Sequence, residues 1–145
     1  MLFRFLVYLL VISFLLNFVW EVSQMSFYKF EGLGDISNYL KFIEVHWIVS
    51  FKDALIVVCL YLLTGMLMRN MYWGRKISNK KLAILFVLGG LWAILVEYHA
   101  INNNRWAYSS IMPILPLLNV GLLPVFQMML LPLLSILLTR NQLKS

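Results

Sequence analysis

Four runs of apolar residues, each close to the length of a membrane crossing, constrain this chain more than any motif in it. They cover roughly residues 2–28, 46–68, 82–101 and 116–139. About 20 apolar residues in helical form span a hydrocarbon core of about 30 Å. Inside that core every backbone N–H and C=O must bond within the protein, so each run has to be a helix. The expected fold class is all-α integral membrane: four transmembrane helices in one compact bundle, with residues 1–145 as a single domain. Composition agrees. Of 145 residues, 62% are hydrophobic and 12% charged, too few polar groups to cover a water-soluble domain of this size.

The charges then orient the bundle. Four crossings put both termini and the connection 69–81 on one side. That side carries Arg4, Arg69, Arg75, Lys76, Lys80, Lys81, Arg140 and Lys144 and no acid. The other half carries Glu21, Glu31, Asp35, Glu44, Asp53 and Glu97, with Lys29, Lys41, Lys52 and Arg105. The positive-inside rule makes the basic side cytoplasmic, with N- and C-termini inside a bacterial plasma (inner) membrane. Topology accounts for the net charge of +6, so the bilayer is the expected partner and nucleic acid is not. The first run begins at Arg4 as a signal peptide would, but no A-x-A-like cleavage site follows, and it reads as a membrane helix. Cys59, the one cysteine, forms no intramolecular disulfide.

Polar connections separate the runs. Gly32, Gly34 and Asp35 mark a turn. Tyr39, Leu40, Phe42 and Ile43, alternating with Lys41 and Glu44, fit either a short interfacial helix or a loop. Trp47, Tyr72, Trp73, Trp106 and Tyr108 read as interfacial anchors. In the fourth run Pro124 and Pro132 remove backbone donors and predict a proline-kinked helix, with the carbonyl of Val120 left needing a partner. That pattern fits a broken helix at a binding site or a structural kink satisfied by neighbouring helices.

Polar residues inside the runs fall on helical stripes. Ser13, Asn17, Glu21, Gln24 and Tyr28 share one face, as do His46, Ser50, Asp53, Val57, Leu60 and Thr64. Gly89 or Gly90, Ala93, Glu97 and Ala100 form a small-residue face that turns Glu97 inward. A carboxylate at membrane depth is costly unless it is paired, protonated or facing a wet cavity. Glu21, Asp53 and Glu97 are therefore the candidate catalytic groups of an outward-facing polar pocket. Trp20, Gln24, His46, Arg105, Trp106, Tyr108, Asn119 and Gln127 are its candidate ligand-binding residues. Arg105 is the expected counter-charge for Glu97 or Glu21. Away from water a carboxyl favours its neutral form, and a neutral acid beside an ionised one is equipment for acid–base chemistry. No metal site is expected: His46 and the carboxylates lack a diagnostic ligand spacing, and His99 lies about 200° round the helix from Glu97. No cofactor is expected either.

Several of these positions also carry a resemblance. Trp20-Glu21-x-x-Gln24-x-x-x-Tyr28, His46-Trp47 followed by Asp53-Ala54, Glu97, Arg105-Trp106-x-Tyr108, Met112-Pro113-x-x-Pro116, Gly121, Pro124 and Gln127 resemble an uncharacterised family of small multi-pass bacterial membrane proteins. The resemblance spans most of the chain and implies the membrane fold without an activity. A looser likeness links short fragments to small membrane lycopene cyclase domains. This chain lacks their Pro-x-Glu-Glu element, so that activity does not carry over.

Three functions fit these residues. The first is binding, with or without acid–base chemistry, of a lipid or isoprenoid-like small molecule. The second is a non-catalytic assembly or accessory subunit whose polar stripes hold helices together and whose small-residue face meets a membrane-protein partner. The third is a proton-coupled transporter component, which needs a homo-oligomer because four helices alone make a small pore.

Overall fold

Every fourth residue of the first apolar run is withdrawn from the surface: Phe5, Leu9, Ser13 and Asn17 are buried, and Gln24 continues the line. That stripe belongs to helix α1 (Leu2–Ser23). A computed structural model describes residues 1–29 and 36–143, and of residues 36–39 and 42 the backbone alone. The turn expected at Gly32, Gly34 and Asp35 lies outside the described residues. After α1 come α2 (Ile36–Leu67), α3 (Asn79–Asn102), a hairpin of β1 (Ile114–Leu115) and β2 (Val120–Gly121), and α4 (Leu122–Thr139). Four helices are long and apolar enough to cross a membrane, and the fold is all-α apart from the hairpin.

α2 begins ten residues before the expected start at His46. Between Ile36 and Thr64 the sequence has neither glycine nor proline, so nothing separates an interfacial segment from the crossing helix. The expected stripe on α2 is withdrawn from the surface: His46, Ser50, Val57, Leu60 and Thr64 are buried and Asp53 half-buried. On α3 the small-residue face is buried from Gly89 to Ala100, Glu97 included.

α4 starts six residues later than expected. The chain between Pro113 and Gly121 is consumed by the hairpin, in which Ile114 pairs with Gly121 and Leu115 with Val120. Asn119 makes its turn with a left-handed backbone (φ 52°), a conformation asparagine tolerates better than most residues. Pro124 is consequently the third residue of α4. In that first turn no N–H has an intrahelical partner, so the proline removes nothing. Val120, whose carbonyl was expected to be freed within a helix, lies in β2. Pro132 is the proline inside the helix, and the carbonyl it deprives of a donor is that of Met128, four residues back. Gly89 of α3 packs directly on that carbonyl: a Cβ at Gly89 would stand 2.1 Å from the Met128 oxygen.

The four helices form a ring. α1 packs against α2 and α4, α3 packs against α4, and the remaining side, α2 against α3, is the loosest of the four. The basic end is closed by apolar packing of Phe5, Leu9, Tyr61, Trp73, Leu85, Ile136 and Leu143. Trp73, expected as an interfacial anchor, is fully buried. Its ring stacks on Tyr61 at 5.0 Å, and its indole N–H donates to the Tyr61 carbonyl (2.9 Å), the partner a buried indole needs. Arg75 donates to the Leu143 carbonyl and its guanidinium touches Met1 Sδ. Met1 and Leu143 therefore both meet the α2–α3 connection at one end of the bundle.

Candidate functional site: a polar cavity between four helices

The opposite end is built by stitching two connections together. Residues after α1 pair with residues after α3 through an antiparallel bridge between Tyr28 and Tyr108. Lys29 N–H donates to the Ala107 carbonyl (2.8 Å) and Ser109 N–H to the Phe27 carbonyl (2.9 Å). The Ser109 hydroxyl adds a bond to the Ser26 carbonyl (3.0 Å). This short ladder gathers Tyr28, Trp106 and Tyr108 into one aromatic group, with Tyr28 5.6 Å from Tyr108 and 6.5 Å from Trp106 between ring centres.

Two sets of hydrogen bonds lie among these elements. The first centres on Gln127 of α4, which is 2% exposed. Its amide nitrogen lies within bonding distance of three oxygens: Asn17 Oδ1 (2.9 Å), Glu21 Oε1 (2.9 Å) and Asp53 Oδ2 (3.2 Å). Its oxygen accepts from the Gln24 amide (3.1 Å), which also donates to Glu21 Oε1 (3.1 Å). Trp20 braces Gln24 from the side through its indole N–H (3.0 Å). One glutamine thus joins α1, α2 and α4.

The second set centres on Glu97, which is 5% exposed. Its Oε2 accepts from the Trp106 indole (3.2 Å) and from the Tyr108 hydroxyl. Tyr108 oxygen accepts in turn from the Gly121 N–H (2.9 Å). A side chain at Gly121 would meet the Tyr108 ring at 3.1 Å, so glycine lets the phenol lie flat on the hairpin and reach Glu97. Burial, first, pushes the Tyr108 phenol above its ordinary ionisation range, and the bond to Glu97 adds to it. Burial does the same at Tyr28, reinforced by the nearby charges of Glu97 and Glu21. Both phenols therefore remain protonated at neutral pH.

Between the two sets lies a cavity of about 170 Å³. Glu21 and Gln24 from α1, His46 and Asp53 from α2, Glu97 from α3, and Gln127 from α4 contribute polar groups to its wall, with Tyr28 and Trp106 above. The other described residues of the wall are apolar: Val45, Val49, Ile56, Trp92, Ala93, Val96, Pro124 and Met128. Three of these, Val45, Trp92 and Val96, are also 45%, 44% and 37% exposed. Val45 is on α2 and the other two on α3, so the mouth opens sideways through the loose α2–α3 seam.

Of the residues singled out from the sequence, Glu21, Asp53, Glu97, Gln24, His46, Trp106 and Gln127 meet in this wall. Trp20 and Tyr108 hold wall residues without lining the cavity. Two do not join it. Arg105 is exposed; the chain reverses at Asn104 (φ 52°), the Arg105 N–H closes on the Ala100 carbonyl (2.9 Å), and it is Trp106 and Tyr108 that reach Glu97. Asn119 is exposed at the hairpin turn. His99 is exposed, away from buried Glu97. Trp92, Val96 and Met128 were not anticipated, because apolar residues beside an apolar stripe give no pattern to find. Among the described residues no group of three or more His, Cys, Asp or Glu is placed to hold a metal ion. Compared with known proteins, the chain matches no family model, no curated protein and no solved structure.

Proposed function

We propose that this protein binds the polar end of a lipid or isoprenoid-like molecule in its intramembrane cavity. The observation that carries the reading is the sideways mouth: a cavity with carboxyl, amide and imidazole groups inside opens between two helices whose rims are exposed and apolar. A molecule already dissolved in the bilayer reaches such a site without crossing water. The basic end is the cytoplasmic end in this reading, and the bundle sits in the plasma membrane of a bacterium with the cavity in its outer half. Proline 132 bends α4 where Gly89 meets it. Glu21, Asp53 and Glu97 are the groups able to exchange a proton with a bound headgroup, so acid–base chemistry on the ligand belongs to the same reading. The apolar plug at the basic end supports a blind pocket over a transport path.

One observation favours a non-catalytic accessory subunit instead. The polar stripe residues are heavily engaged with one another through Gln127, as interhelical glue would be. The experiment that separates the two is native mass spectrometry with lipid extraction, comparing the wild type with Val49→Phe, which puts a ring into the cavity from α2. A small molecule that co-purifies with the wild type and is lost in the variant supports binding. A protein partner retained equally by both, with no small molecule, supports the accessory subunit and refutes the binding reading.

A further inference from the structure

The size of the cavity and its hydrogen-bonding inventory restrict what enters it. A closed apolar cavity of about 150 Å³ holds one benzene molecule. The cavity here, about 170 Å³, therefore accepts a group of roughly six or seven non-hydrogen atoms. No whole lipid or isoprenoid fits. The head of such a molecule fits, with its tail leaving past Val45, Trp92 and Val96 into the bilayer.

Inside, the Gln127 amide is short of hydrogens for the oxygens around it. The Gln127 amide has two hydrogens, yet three oxygens stand within 3.2 Å of its nitrogen. One of those oxygens always lacks that donor. Three carboxyls, Glu21, Asp53 and Glu97, line the cavity, and of the described residues in its wall His46 alone can carry positive charge. Tyr28, Trp92 and Trp106 bring aromatic rings to the same space, and ring faces attract cations, more strongly where water is excluded. An alkylammonium supplies what is short: three N–H donors and one positive charge. A hydroxyl supplies one donor and no charge, and a carboxylate supplies neither a donor nor a positive charge.

We propose that the cavity takes the ammonium head of a single-chain amphiphilic amine, head inward and tail out through the α2–α3 seam. This rests on the reading that the cavity binds an amphiphile.

The test uses the full chain in phosphatidylcholine nanodiscs, titrated near neutral pH with dodecylamine, dodecanol and dodecanoate. Binding is read by tryptophan fluorescence and by the unfolding temperature, against empty discs. Dodecylamine is expected to bind roughly tenfold or more tightly than dodecanol, the margin of a charge-assisted over a neutral hydrogen bond, with dodecanoate weakest. Asp53→Asn is expected to remove most of that margin while dodecanol binding persists, which also reports that the variant is folded. Should Asp53→Asn not fold, the wild-type series decides alone. Dodecanol or dodecanoate binding as tightly as the amine overturns the ammonium head and leaves amphiphile binding standing. Failure of all three to bind overturns both.

Discussion

Replacing Gly89 by alanine should break the contact of α3 with the Met128 carbonyl of α4. The added Cβ would stand 2.1 Å from the Met128 carbonyl oxygen and 3.0 Å from its carbon. Real Cβ atoms do not come closer than 3.0 Å to a neighbour, so the shortfall at the oxygen is about 0.9 Å, and reaching ordinary contact at 3.4 Å takes about 1.3 Å. The opposing atom is backbone and cannot rotate aside. α3 and α4 must part, or the last turns of α4 must tilt. Overpacking of this kind costs about 1–3 kcal/mol, and the gain from replacing a helical glycine returns about 0.5–1 kcal/mol, leaving a net loss on the order of 1–2 kcal/mol. Gly90→Ala is the internal control. Its Cβ would meet only the Met129 side chain, at 3.5 and 3.6 Å, so it should be neutral or stabilising by up to about 1 kcal/mol. The assay is reversible unfolding by SDS titration in mixed micelles, followed by tryptophan fluorescence. The midpoint of Gly89→Ala should fall clearly below that of Gly90→Ala. Equal midpoints would refute the close approach of α3 to the Met128 carbonyl.

Two further outcomes test the polar network and its lid. Gln127→Leu keeps the volume but strips partners from Gln24, Asn17, Glu21 and Asp53. With the two buried ones, Asn17 and Gln24, costing about 1–3 kcal/mol each, a loss of about 2–6 kcal/mol is expected in the same SDS titration with the helix content by circular dichroism unchanged; a loss within about 0.5 kcal/mol, the size of an ordinary surface change, would show that the glutamine does not hold the helices. Tyr28 and Tyr108 have folded-state ionisation raised above their ordinary value of 10.0, chiefly by burial. A raised value means stability fully present below about pH 10 and lost as the pH climbs through the folded value. Spectrophotometric titration of the folded protein to about pH 11 should therefore give the same phenolate signal in wild type, Tyr28→Phe and Tyr108→Phe, and either variant losing one tyrosine's share of that signal would place its phenol in water.

The stripes were legible because a helix repeats every 3.6 residues and the expensive groups obey that repeat. Asn17, Glu21 and Gln24 point one way on α1, His46 and Asp53 one way on α2, and Glu97 shares the small-residue face of α3. What the repeat does not reveal is where a helix begins. Ile36 and His46 lie on one helix because no breaker stands between them, whereas Pro116 and Asn119 make a hairpin from sequence as apolar as the helix that follows. Nor does it reveal which aromatic turns inward. Trp73 lies in a basic connection where an anchor is expected, yet its indole has a buried carbonyl to bond, and that makes burial affordable in energy as well as in space. Arg105 illustrates the same limit with the opposite sign. Charge complementarity to Glu97 was a sound reason to pair them, but a reversal at Asn104 exposes the arginine and gives Glu97 two neutral donors instead.

The position of the mouth follows from what binds the other helices together. Gln127 ties α4 to α1 through Asn17, Glu21 and Gln24, and to α2 through Asp53. Gly89 lets α3 close on α4. Each of these devices reaches toward α4 or α1 rather than from α2 to α3. In lipid the hydrophobic effect does not press helices together, so association depends on close packing and interhelical hydrogen bonds. The α2–α3 side, which these devices do not tie, is the loosest side of the ring. Asp53 on α2 and Glu97 on α3 stand on its two flanks, while Tyr61 and Trp73 close the bundle below. The same contacts that hold the bundle together therefore leave as its loosest side the one on which the cavity residues Val45, Trp92 and Val96 lie.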